Sequence, residues 1–128
     1  ANFVGHTNVF DGQVSAIGND GNCEINCNGL VFMGVGQTKV AKGQKVSVAL
    51  RYEAITFSRS DNEIKGVSCS AVVREKMYLG GMFRLETVTQ EGLTLTADIP
   101  QGEQSKLIKE GDKIELFWEP ESLAVLLE

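Results

Sequence analysis

Val40-Ala41-Lys42-Gly43-Gln44-Lys45-Val46-Ser47-Val48 aligns without a gap on Ile108-Lys109-Glu110-Gly111-Asp112-Lys113-Ile114-Glu115-Leu116, and the match continues from Glu53-Ala54-Ile55 to Glu121-Ser122-Leu123. Each copy reads as an apolar residue, a turn glycine, a lysine, an alternating strand, a corner and a further strand. Fainter echoes precede it: Gly29-Leu30-Val31-Phe32 resembles Gly92-Leu93-Thr94-Leu95, and Gly12-Gln13-Val14 resembles Gly66-Val67-Ser68. The offset between copies grows along the chain, so the second copy is longer by insertions in its turns. Two half-length units follow, expected at residues 1–61 and 62–128, with the polar segment Arg59-Ser60-Asp61-Asn62-Glu63 as their joint.

The elements around the repeat are short and extended. Val9 to Ile17 is one strand block, turned by Asn19-Asp20-Gly21-Asn22; Cys23 to Cys27 and Leu30 to Phe32 flank Asn28-Gly29, the dipeptide suited to a two-residue hairpin because both positions need positive φ. Lys45 to Arg51 alternates as a half-buried strand and Ala54 to Ser58 follows a short corner. Further blocks fall near 64–74, 82–88, 93–97, 113–118 and 123–127. Only Glu103 to Glu110 can hold a helical turn or two, anchored by Leu107 and Ile108. The fold class is all-β. A unit of about 60 residues buries too little surface to be comfortable alone, so the two are expected to share a core or exchange strands. Small, glycine-turned and antiparallel, they suit OB-like barrels, in which closure removes exposed edges.

Composition narrows the function. The 128 residues are 42% hydrophobic and 23% charged, enough for a packed core, and the net charge of −5 argues against nucleic acid and against anionic membrane surfaces. No apolar run approaches the ~20 residues of a spanning helix, and the first residues show no secretory pattern. Three cysteines, Cys23, Cys27 and Cys69, are an odd count that points to a reducing compartment.

No catalytic constellation emerges. Gly34-Val35-Gly36-Gln37-Thr38-Lys39 lacks the glycine-lysine-serine/threonine ending of a phosphate loop and reads as a strand connection. Cys23 and Cys27 share a strand face but lie ~13 Å apart, too far for one metal or one disulfide, and read as core thiols. His6, the one histidine, would have to carry any triad by itself and reads as an exposed or capping residue. Glu119, Glu121 and Glu128 solvate corners and the terminus. Phe117 and Trp118 are adjacent in an alternating strand, which places one ring on each face: one fills the core, and an outward ring would mark an interface.

Several blocks carry a family resemblance. Phe3-Val4-Gly5-His6-Thr7-Asn8-Val9-Phe10-Asp11-Gly12 resembles the segment that follows the nucleotide-binding domain in ATPase subunits of bacterial ABC importers. Lys42-Gly43-Gln44-Lys45-Val46-Ser47-Val48-Ala49-Leu50-Arg51-Tyr52-Glu53-Ala54-Ile55 resembles their glycine-x-lysine/glutamate-valine…arginine-proline-glutamate-x-isoleucine stretch, and Gly66-Val67, Tyr78-Leu79-Gly80 and Gly111-Asp112-Lys113-Ile114-Glu115-Leu116-Phe117-Trp118 match the remaining blocks in order. The chain is thereby similar to the transport-associated OB domain, TOBE, of spermidine/putrescine or ferric-iron importers. Tyr52 stands where that family usually has proline, while the second copy keeps Pro120 at the equivalent place.

The resemblance implies the C-terminal regulatory, dimer-stabilising domain of an importer ATPase. Its partners would be its own N-terminal nucleotide-binding domain, a second ATPase subunit and the membrane permease subunits, with a regulatory ligand in some relatives. It would lie in the cytoplasm, peripheral to the inner face of the membrane. It implies no catalysis by this chain: ATP and magnesium would belong to the N-terminal domain, and no catalytic, cofactor or metal residue carries over. Arg51, Glu53 and Trp118 are the candidate interface or regulatory residues, with a structural ion pair at the corner as the other role for Arg51 and Glu53. The competing expectation is a freestanding small-ligand binder for an oxyanion or a polyamine, and an OB-type nucleic-acid binder ranks third.

Overall fold

A computed structural model describes residues 5–35, 39–58 and 67–127, apart from the side chains of Asp20, Val67 and Ser68. Ten strands carry the fold: β1 Thr7–Ile17, β2 Cys23–Cys27, β3 Leu30–Gly34, β4 Lys45–Arg51, β5 Thr56–Ser58, β6 Val67–Tyr78, β7 Met82–Thr89, β8 Thr94–Pro100, β9 Lys113–Trp118 and β10 Ala124–Leu127. The single helical turn α1 spans Glu103–Lys106 between β8 and β9. The joint expected at Arg59 to Glu63 lies outside the described residues, as do Gly36 to Thr38 of the rejected phosphate loop and Glu128.

The strands form two five-stranded antiparallel sheets in the orders β10-β4-β1-β2-β3 and β5-β9-β6-β7-β8. Each half of the chain builds four strands of one sheet and sends its fifth to the other: β5 pairs with β9, and β10 pairs with β4. The expected strand exchange is thus a symmetrical swap. Its hinges are the corners Tyr52–Ala54 and Pro120–Ser122, both three-residue 3-10 turns entered from extended backbone. Tyr52 therefore turns the chain as Pro120 does, and the loss of proline does not open the first corner.

Register corrects one part of the repeat. In β1 the pairing with β2 slips between Val14 and Ala16, and in β6 the pairing with β7 slips between Val73 and Glu75. The Val14 amide donates to the Gln44 carbonyl and its carbonyl accepts from Gly43; Val73 makes the same pair of bonds with Asp112 and Gly111. Val14 therefore corresponds to Val73, and the apparent match of Gly12-Gln13-Val14 with Gly66-Val67-Ser68 is a coincidence of composition. Similarity over three residues does not fix register, which is set by strand pairing, and the bulges at Ser15 and Arg74 fall at equivalent places in the two halves.

Asn28 and Gly29 have φ of 55° and 98°, the conformation the β2–β3 hairpin requires. Gly12 answers a different need: a Cβ there would fall 2.6 Å from Cys27 Sγ and 2.9 Å from the Asn26 carbonyl oxygen, so β1 can lie this close to β2 only without a side chain. α1 is shorter than the helical segment expected. Ile108 is buried, but Leu107 is half exposed and anchors nothing. Lys76 Nζ donates to the carbonyls of Ser105, Lys106 and Ile108, closing the turn that Leu107 does not.

One hydrophobic core lies between the sheets, with Ile25, Phe32, Val46, Val48, Leu85, Leu95 and Leu116 fully inside. Phe10, Phe32 and Trp118 stack in series, with centroids 5.9 and 5.5 Å apart, joining β1 and β3 of one sheet to β9 of the other. Both rings of the Phe117–Trp118 pair are buried, at 6% and 3% exposure. The outward ring expected from strand alternation does not exist, and Trp118 is a core residue rather than a contact surface.

Candidate functional site

The first corner gathers polar groups. Arg84 on β7 makes a two-pronged ion pair with Asp98 on β8, Nε to Oδ1 at 2.8 Å and the terminal nitrogen to Oδ2 at 3.0 Å, and donating to the Asp98 carboxylate raises the already high Arg84 pKa. The same guanidinium lies 3.2 Å from His6 Nδ1 and over the Tyr52 ring, on which the imidazole also stacks. A guanidinium only donates, so Nδ1 is the acceptor of that bond. His6 is exposed, as its isolation in the sequence suggested.

Arg51 and Glu53 flank this cluster, both exposed and without an ion pair between them, so neither the structural pair nor an assembled site is found at the corner. Asn8 lies beside it on β1. Its side-chain amide donates to the carbonyls of Leu50 and Thr96 and accepts from the Thr96 amide, bridging the two sheets. These are fastenings: every cation in them except Arg51 is already matched.

Among the described residues four of the clefts form two pairs related by the repeat. One pair sits where a corner and its swapped strand meet the outer hairpin of the other half. Its members are lined by Gly34, Glu121 and Leu123 in one case and by Glu53, Ile55, Asp98 and Glu103 in the other. Both carry carboxylates, which repel anions. The second pair lies on the outer sheet faces beside the two bulges. Here Ser70, Val72, Arg74, Val88, Thr89 and Lys113 line an open cleft of about 570 Å³.

This last cleft is chemically distinct. Arg74 is the extra residue of the β6 bulge, and Lys113 is the β9 residue directly opposite Val72. Both side chains are exposed and have no hydrogen bond or ion pair among the described residues. Thr89 borders the cleft but is buried opposite Ala71, on the inner face of the sheet, where its hydroxyl oxygen accepts from the Leu93 amide. The Ser70 hydroxyl donates to the Glu115 carboxylate, which does not line the cleft. Two unmatched cations over an apolar floor can hold an oxyanion, by charge-assisted hydrogen bonds. Sequence reasoning missed this site. The lysine shared by both repeats, Lys45 and Lys113, was its visible signal, and alternation places Arg74 on the same face of β6 as Val72; what the sequence could not show is that β9 brings Lys113 opposite Val72.

The thiols are structural. Burial raises Cys69 from its ordinary 9.0 to about 12, with Glu91 and Glu115 adding to the shift, and raises Cys27 to about 11, with Asp11 adding. Cys23 also rises through burial, opposed by a Gly34 backbone hydrogen bond. Above about pH 8.5 the unfolded chain gives up these protons while the folded chain keeps them. Stability is therefore complete below that pH and declines as pH climbs toward 11. The urea midpoint is expected to fall steadily from pH 8.5 to about 10.5, less steeply in Cys69→Ala; identical slopes in the two proteins would refute the assignment. Among the described residues no three His, Cys, Asp or Glu side chains converge where a metal could sit, and no helix is long and apolar enough to cross a membrane.

The comparisons with known proteins agree with this architecture. A solved structure of the cytoplasmic molybdate-binding protein ModG, with molybdate bound, superposes with a TM-score of 0.84 at 15% identity, covering 98% of this chain and 99% of that one. That protein is built almost entirely from this fold, so the two β units do not entail an attached ATPase. The expectation of a regulatory, dimer-stabilising tail of an importer ATPase is overturned on that ground. The TOBE domain matches residues 38–126, most of the sequence. The chain belongs to the TOBE domain family.

Proposed function

We propose that this chain is a small-oxyanion-binding protein working in the cytoplasm, and that its ligand occupies the cleft between Arg74 and Lys113. The observation that carries the proposal is that this cleft holds two unmatched cations and no lining carboxylate in a chain of net charge −5. In so acidic a molecule, paired cations left without partners are a local exception to the field of the whole. The molybdate held by ModG, on the same fold, gives the class of ligand to try first. Binding rather than catalysis fits a site with two cations but no nucleophile–base pair among its lining residues.

Thermal unfolding and calorimetry with molybdate, sulfate, phosphate and spermidine test it. A bound oxyanion at 100 times its dissociation constant stabilises the fold by about 2.7 kcal/mol, and Lys113→Gln is expected to weaken binding about tenfold or more, since a hydrogen bond to a charged group contributes about 1.5–3 kcal/mol. Affinity should also fall with added salt. No response to any oxyanion, or a response to spermidine alone, would overturn the proposal.

A further inference from the structure

The Arg74–Lys113 cleft has a counterpart in the first half of the chain, lined by Asp11, Gly12, Gln13, Asn26 and Lys45. Register sets the correspondence residue by residue. Lys45 lies opposite Gln13 and Gln13 opposite Asn26, as Lys113 lies opposite Val72 and Val72 opposite Val88. The bulged residue is Ser15 in the first half and Arg74 in the second.

One hydrogen bond is reversed between the two. In the second half Ser70 on β6 donates to Glu115 on β9. In the first half, at the same paired positions, Ser47 on β4 donates 3.1 Å to Asp11 on β1. The reversal moves the carboxylate from one strand to the other, and with it from beside the cleft into its lining. The first cleft thus sets one lysine against one carboxylate, where the second has two cations and none. An oxyanion entering the first cleft meets a carboxylate as well as a lysine, and at comparable distances the repulsion of the one offsets the attraction of the other.

We infer that Asp11 excludes oxyanions from the first cleft, where Ser15 stands in place of the Arg74 cation, so that the duplicated fold holds one oxyanion per chain and not two. The inference rests on the oxyanion-binding function proposed above. Asp11 and Ser15 are then the residues that separate the two halves, and replacing them by their counterparts installs a second site.

Calorimetry with molybdate on the full chain tests this by stoichiometry. The native protein is expected to bind one equivalent, and Asp11→Ser with Ser15→Arg two, the second lost again on adding Lys45→Gln. The same pair of substitutions placed in a chain that also carries Arg74→Gln and Lys113→Gln isolates the first cleft and should restore a single equivalent. Two equivalents in the native chain overturn the inference. So does a quadruple variant that unfolds as cooperatively as its parent and binds nothing. A native chain that binds nothing overturns the function proposed above instead, and the isolated first cleft still reports on Asp11 and Ser15.

Discussion

Phe32→Ala is expected to lower the thermal midpoint by about 12 °C, the consequence of losing about 4 kcal/mol. Phe32 is fully buried on the outer strand β3, and its ring is the middle member of the Phe10–Phe32–Trp118 stack. Removing it opens a cavity bounded on both sides by rings that cannot follow, because Trp118 is held in β9 and Phe10 in β1, which belong to different sheets. The cost is therefore transfer free energy plus a cavity that does not collapse. Phe32→Leu keeps most of the volume and should cost about 1 kcal/mol. Trp118 is the only tryptophan, so its emission reads the site directly in urea titrations. A loss under about 1.5 kcal/mol in Phe32→Ala would show that the sheets close over the gap.

Asn8→Ala should cost about 3 kcal/mol, although Asn8 is a polar residue on a strand. Its amide imitates a peptide group: Oδ1 takes the Thr96 amide at 2.9 Å and Nδ2 gives to the Thr96 carbonyl at 2.9 Å. Thr96 sits on β8, an edge of its sheet, where these groups have no strand to pair with. The side chain also donates to Leu50, its partner in register on β4. Alanine leaves these groups at the seam with neither protein nor free access to water, the condition in which an unmade hydrogen bond costs most. Asn8→Asp retains the acceptor for the Thr96 amide but turns a carboxylate on two carbonyls, and should be no better tolerated. Amide exchange at Thr96 is the diagnostic reading. Unchanged protection there, with less than about 1 kcal/mol lost, would refute the bridging role.

Much of the fold was legible in particular residues. Lys45 to Arg51 and residues 113–118 are strands with the bounds their alternation indicates, and the Asn28-Gly29 turn is where its chemistry requires it. Units too small to close alone were expected to share a core or exchange strands, and β5 and β10 make the exchange. Alternation misled at Phe117 and Trp118, because it separates two faces of a strand without saying whether each face is covered. The helical reading of Glu103 to Glu110 misled at Leu107, where Lys76 supplies the anchor from β6. The family was readable from blocks in order along the chain; the function attached to them was not, since the same fold makes up nearly the whole of a molybdate-binding protein.

The candidate site shows where local information ends. By itself the sequence determined an all-β chain of two repeated units, its hairpins and turns, an acidic surface and the lysine common to both copies, all of which depend on neighbours within a few residues. Only the tertiary structure decided which cations stand unmatched. Arg84 is spent on Asp98 and Lys76 on three carbonyls, whereas Arg74 and Lys113 line one cleft with no partner among the described residues, and a reversed serine–carboxylate bond puts a carboxylate in the lining of the other. Charge at a site is the sum over everything that folding brings within a few ångströms, and sequence separation sets no part of that sum.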